Sequence, residues 1–237
     1  MPLPNGTLGV LLDIEGTTTP ITFVYDVLFP YAKSRLEAAC QRASQNQSLR
    51  HAIELLREEH HREALALGEA LPPFGNGAPF ALWLMEQDRK STGLKALQGL
   101  IWEEGYRSGE LKAEVFPDVY PALREWRERG IRLRIFSSGS VLAQKLLFGH
   151  TDHGDLTPHF EGYHDTTTGP KREARSYRAI AKAFNAPPET ILFLSDMVEE
   201  LDAASEAGMR TTLVVRPGNK PVGAHEHKVA RSFEHLH

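Results

Sequence analysis

Two carboxylates one residue apart, Asp13 and Glu15, end the apolar run in LGVLLDIEGTTTPI and are followed by a glycine, three threonines and a proline. Strand-to-helix loops use such acids constantly as Asx turns or helix N-caps, and taken alone the pair reads equally well that way. At a buried strand end, however, two crowded carboxylates repel each other and are tolerable only with a cation or a shared proton. Asp196, after the apolar run ILFL, supplies a third acid. Three hard oxygen donors with no cysteine or histidine cluster suit Mg²⁺.

Ser137 and Ser138 open SSGS directly after IRLRIF, where the amides of a following helix N-terminus would favour an anion such as phosphate. An ordinary serine cap explains the same residues. Lys171 follows TTTGP and precedes a helix, which suits an ammonium at the mouth of such a site, although a lysine taken singly is more often a solvated surface charge. Glu200, one helical turn after Asp196, orients a metal shell or lies on a solvated helix face. The weight lies in the combination. A nucleophilic carboxylate, a second acid two residues on, a strand-end serine, a lysine and an acid after a later strand, in that chain order, compose a phosphotransfer site.

The elements that must position these groups follow from periodicity. From residue 118 onward helix and strand patterns alternate with short connections, the signature of a parallel sheet covered by helices. Asp118 caps a helix through VYPALREWRER; IRLRIF, a weak FEGYHD, ILFL and TTLVV read as strands, with helices through VLAQKLLFGH, REARSYRAIAKAF and EELDAASEA. GVLL near the N-terminus joins the same sheet. In open sheets of this kind ligands bind beyond the carboxyl ends of the strands, where these polar residues lie. Residues 20–115 show only helical patterns. The expected architecture is therefore α/β, a Rossmann-like parallel sheet built from residues 1–19 and 116–237, with an all-helical insertion at 20–115. The histidine-rich tail, 225–237, is as consistent with a frayed terminus as with anything functional.

Composition narrows the class. The 237 residues are 41% hydrophobic, enough for a substantial core, and a dispersed net charge of −4 offers no basic footprint for nucleic acid. One cysteine, Cys40, excludes an internal disulfide; no leader pattern opens the chain, and no apolar run approaches the ~18 residues of a membrane span. A cytoplasmic protein is expected. A nucleotide-binding domain has little support, because neither GxGxxG after the first strand nor GxxxxGK[ST] occurs.

The motifs DIEGT, FSSGS, GPK and SDMVEE resemble those of the haloacid dehalogenase superfamily, departing from its phosphatases in having Glu15 where most carry aspartate. With DIEGTTTPI, SSGSVLAQKLLFGHT, FLSDMVEELDAA, VVRPGN and LQGLIWEEGYRSGELKAEVFPDV, the chain is similar to the enolase-phosphatase (acireductone synthase) family of methionine salvage. That resemblance implies one Mg²⁺ per chain, held by Asp13, the backbone carbonyl of Glu15 and Asp196. It implies Asp13 as nucleophile, Ser137, Ser138 and Lys171 around the phosphoryl oxygens, and Glu15 as general acid and base. The implied substrate is a small phosphorylated diketone, 2,3-diketo-5-methylthiopentyl-1-phosphate, enolised and then dephosphorylated at one site. The helical insertion would be a cap closing over it. Phe23, Trp83, Trp102 and Tyr106 fit either a pocket for the methylthio tail or insertion core, and the loop at 17–20, beside the nucleophile, is the better place for substrate contact. A monomer without nucleic-acid or membrane partners is expected. The competing readings are a sugar-phosphate phosphatase, a metal-free dehalogenase and a phospho-accepting signalling domain; the insertion speaks against the last, which needs no lid.

Overall fold

The computed structural model describes residues 2–67, 71–234 and 236. It divides into two compact units, Met1–Val24 with Lys112–His237, and Tyr25–Leu111. These boundaries fall a few residues inside 20–115 for a local reason. Phe23 N–H donates to the Pro20 carbonyl, and Phe116 N–H to that of Thr18, which ties both crossings to the first unit.

The first unit carries a six-stranded, wholly parallel sheet in the order β3-β2-β1-β4-β5-β6. Its strands are β1 (Gly9–Leu12), β2 (Arg132–Phe136), β3 (Gly162–His164), β4 (Ile191–Ser195), β5 (Arg210–Val214) and β6 (Lys228–Ala230). β1 and β4 are buried along their whole length, which is why both read as unbroken apolar runs rather than alternating ones. Helices α5 (Val119–Glu128), α6 (Val141–Gly149), α7 (Ala174–Phe184) and α8 (Val198–Glu206) connect them. α7 shows how the sheet is covered: Tyr177, Ile180, Ala181 and Phe184 recur at helical spacing and pack with Leu11, Phe136 and Phe193 of the sheet.

Two local expectations fail because long-range partners win. Asp118 does not cap α5 through its side chain; its carboxylate pairs instead with Arg216, at 3.0 and 2.8 Å. The described residues of the C-terminal tail pack onto the first unit. They add β6 in parallel to β5, bury Phe233 and Leu236 at 1% exposure, and accept the Trp126 indole N–H on the Leu236 carbonyl at 2.7 Å.

The second unit holds α1 (Phe29–Gln41), α2 (Gln47–Leu67), α3 (Ala78–Glu86) and α4 (Thr92–Ser108), preceded by a π-helical turn at Phe23–Leu28. Its core is Leu36, Ile53, Leu56, Phe80, Leu84, Leu97 and their neighbours. α2 and α4 approach closely at Gly93, where a Cβ would stand 2.6 Å from the Leu56 backbone nitrogen. Trp83 and Trp102 pack against this core and Tyr106 is buried, so these three aromatics are used in building the insertion. Phe23, also buried, belongs to the first unit.

Candidate active site

β1 lies between β2 and β4, with Leu12 in register with Ile135 on one side and Leu194 on the other. The connection after β1 leads toward β2, whereas β4 lies on the opposite side, so the strand order reverses at β1, the place where open α/β sheets bind ligands. The carboxyl ends of these three strands carry Asp13 with Glu15, Ser137 with Ser138, and Ser195 with Asp196. Asp13 continues the ladder, donating its N–H to the Leu194 carbonyl at 3.0 Å.

Lys171 is the hub. Its ammonium is 2.6 Å from Asp13 Oδ1 and 2.7 Å from Glu200 Oε2, with all three residues under a tenth exposed. Its main-chain carbonyl accepts the Tyr177 hydroxyl at 2.7 Å, and the ammonium lies 5.7 Å from the Phe136 ring centre. The lysine is thus buried inside the site and not solvated at its mouth. Glu200 likewise faces inward, where Ser195 Oγ donates to it at 3.1 Å. Glu200 therefore does not lie on a solvated helix face: in the first turn of α8 a solvated and a buried glutamate look alike in sequence, and Lys171 draws this one inward.

Four carboxyl groups, Asp13, Glu15, Asp196 and Glu200, act electrostatically on this one ammonium. Burial lowers the Lys171 pKa, but Asp13, Glu200 and Glu15 more than offset it, and the lysine stays charged. Burial, then the charge of Asp13, pushes Asp196 up to about 7; the same two causes raise Glu200 to about 7 and also raise Glu15. Negative charge in excess of one lysine is what a bound cation relieves. Among the described residues no three His, Cys, Asp or Glu side chains form a metal cage. Mg²⁺ does not need one: it keeps several waters and takes one or two carboxylates. Asp13 and Asp196 with a main-chain oxygen fit that habit. Asn219 Oδ1, buried beside Asp196 across Gly16 with no hydrogen-bond partner among the described residues, adds an uncommitted acceptor.

The serine loop is arranged differently from a bare helix N-terminus. Ser140 caps α6 by accepting from Ala143 N–H at 3.2 Å, and Asp165 Oδ2 accepts from Val141 N–H at 3.2 Å, so the protein supplies that helix its own anion. Ser137, 1% exposed, accepts from Gly139 N–H at 3.1 Å, and its hydroxyl slightly favours the ionised form of Glu15. Gln144 pins the loop from below through the carbonyls of Gly139 and His164, both at 2.8 Å. Thr17, Thr18 and Thr19 are fully buried; Thr18 Oγ1 donates to the Asp13 carbonyl at 3.1 Å.

The structure brings together an aspartate at the centre of a parallel sheet, a buried lysine and strand-end serines. Residues 8–208 match the family model of the haloacid dehalogenase-like hydrolases. Enolase-phosphatase E1 of Synechococcus elongatus is 48% identical over 241 residues, covering 100% of both chains. The chain belongs to the enolase-phosphatase family. Enolase-phosphatase E1 of Klebsiella oxytoca is 48% identical over 228 residues, 96% of each chain. Among solved structures, the UTR4 protein of Saccharomyces cerevisiae superposes with a TM-score of 0.78 at 36% identity, covering 97% of this chain and 100% of that one. CbbY of Rhodobacter sphaeroides, at 18% identity and a TM-score of 0.58 over 96% and 95% of the two chains, shares the fold. The protein is therefore a hydrolase of this family, and no helix among its described residues is long and apolar enough to cross a membrane.

Proposed function

We infer that this enolase-phosphatase family member converts 2,3-diketo-5-methylthiopentyl-1-phosphate to the acireductone and phosphate, as a cytoplasmic monomer with one Mg²⁺. The observation that carries this reading is Lys171 bridging Asp13 and Glu200 in a buried site at the carboxyl ends of β1 and β4.

In the phosphatase step an Asp13 oxygen forms a bond to phosphorus as the ester oxygen leaves, giving an aspartyl-phosphate. Lys171 holds Asp13 Oδ1, so the carboxylate is presented in one orientation. Glu15, raised by burial, retains a proton more readily than a solvated glutamate and delivers it to the leaving oxygen. Ionised, Glu15 then takes a proton from water, whose oxygen attacks phosphorus and releases Asp13. Ser137 Oγ, the Ser138 main chain and the Lys171 ammonium hold the phosphoryl oxygens. Mg²⁺, held by Asp13, the Glu15 carbonyl and Asp196, would supply neutralisation of charge on the transferring group. In the enolisation step Glu15 is the proposed base at the carbon beside the carbonyl. The insertion lies between the first and second motifs, the sequence position of a cap.

Purified protein incubated with the diketo phosphate, with Mg²⁺ or with chelator, should yield both phosphate and enol absorbance only in the presence of the metal. Phosphate release without enol, or turnover indifferent to chelation, would refute the reading.

A further inference from the structure

The turn after β5, RPGN at 216–219, has no role in the proton and phosphoryl transfers assigned above, yet two of its side chains grip consecutive carbonyls, Gly16 and Thr17, of the loop that carries Asp13 and Glu15. Asn219 Nδ2 donates to the Gly16 carbonyl at 2.9 Å and to the Val214 carbonyl at 3.3 Å. Arg216 Nε donates to the Thr17 carbonyl at 3.2 Å. Arg216 is itself held through Nε, Nη1 and its two flat faces, while Nη2 is buried with no hydrogen-bond partner among the described residues. Asp118 receives its Nη1, the Arg231 carbonyl accepts from the same nitrogen at 3.3 Å, and the guanidinium lies 4.5 and 4.6 Å from the ring centres of Phe116 and Phe233. Ser232 Oγ and Phe233 N–H donate to Asp118 from the other side. A buried, hydrogen-bonded ion pair is a costly way to gain stability and is better suited to fixing geometry.

What it fixes is Gly16. This residue has φ +69°, its N–H donates to the Thr19 carbonyl at 2.8 Å, and its carbonyl is the one Asn219 holds. A Cβ there would collide with the Asp196 carboxylate and stand 2.8 Å from Asn219 Oδ1, so Asn219 and Asp196 close on the glycine together. With both ends of Gly16 pinned, the direction of the preceding residue is set as well, and that residue is Glu15.

We propose that Asn219 is a positioning residue for Glu15, with Arg216 anchoring the next carbonyl, so that the RPGN turn aims the acid-base group. The inference rests on the acid-base role of Glu15. Loss of aim costs rate more than binding: misplacement by about 1 Å can cost ~10²-fold.

The test is a cycle of Asn219→Ala and Asn219→Leu, each alone and with Glu15→Gln, read by single turnover at stoichiometric enzyme, with kcat, KM and thermal midpoint for every variant. Both Asn219 variants should lower kcat by about 10- to 100-fold with KM within about twofold. In the Glu15→Gln background the same changes should cost less than about threefold, because the aimed group is gone. Arg216→Lys, which keeps a cation for Asp118, should lower kcat in the same direction. Equal losses in both backgrounds, or loss with Ala and recovery with Leu, would overturn the inference in favour of plain packing. If Glu15→Gln is impaired and the Asn219 variants are not, the inference alone fails. If Glu15→Gln turns over normally, the acid-base assignment fails and takes the inference with it.

Discussion

Glu200 Oε2 and the Lys171 ammonium lie 2.7 Å apart, and the same ammonium reaches Asp13. The helix after β4 therefore helps to decide where the cation paired with Asp13 stands. Glu200→Gln removes the charge and keeps the shape. It should leave the fold intact and lower kcat/KM by about 10- to 100-fold, the range for groups that orient a site at one remove. Steady-state kinetics beside circular dichroism would show it; unchanged kcat/KM would relegate Glu200 to stability.

Asp13→Asn keeps the volume and discards the nucleophile. Turnover should fall by at least about 10³-fold, as when other covalent catalysts lose theirs. The uncharged amide leaves Glu200 as the carboxylate in direct contact with Lys171. A variant that folds, as judged by its thermal transition, and still turns over would remove Asp13 from the chemistry.

His164 carries a pH signature separate from catalysis. Burial, then the nearby Arg134 charge, lowers its pKa from 6.5 to about 4. The folded state binds this proton more weakly than the unfolded chain does, so the contribution to stability is complete above about 6.5 and is lost as pH falls toward about 4. Across that window the urea midpoint of the parent should fall further than that of His164→Gln. Parallel curves would show that the histidine does not titrate differently on folding.

Phe233 is 1% exposed, 5.5 Å centre to centre from the Trp126 ring, and lies over Arg216. Phe233→Ala should cost about 3–5 kcal/mol of unfolding free energy. Equilibrium denaturation measures it, and a loss below 1 kcal/mol would mean that the tail is not part of the core.

The strand ends were legible because burial writes itself into sequence. GVLL and ILFL are covered on both faces, so the first polar residues after them, Asp13 and then Ser195 with Asp196, mark the edge of the sheet. Lys171 was legible as a member of the set but not as a buried one, since its partners Asp13 and Glu200 lie far from it in the chain. The same distance hid the pairing of Asp118 with Arg216, and local reading supplied a helix cap in its place. β6 escaped because Lys228 and Val229 are exposed and three residues show no period. VVRPGN was legible only as a likeness; the hydrogen bonds from Arg216 and Asn219 to the loop at 16–17 gave it a physical purpose.

β1 leads directly into Asp13 and consists of four buried residues bonded to a neighbour on each side. Its amides can exchange with solvent only when the sheet opens at its middle, whereas β3 and β6 border a single neighbour each and can peel away independently. Asp13 is thus tethered to a strand held on both sides, and fraying at either margin leaves its carboxylate where it was.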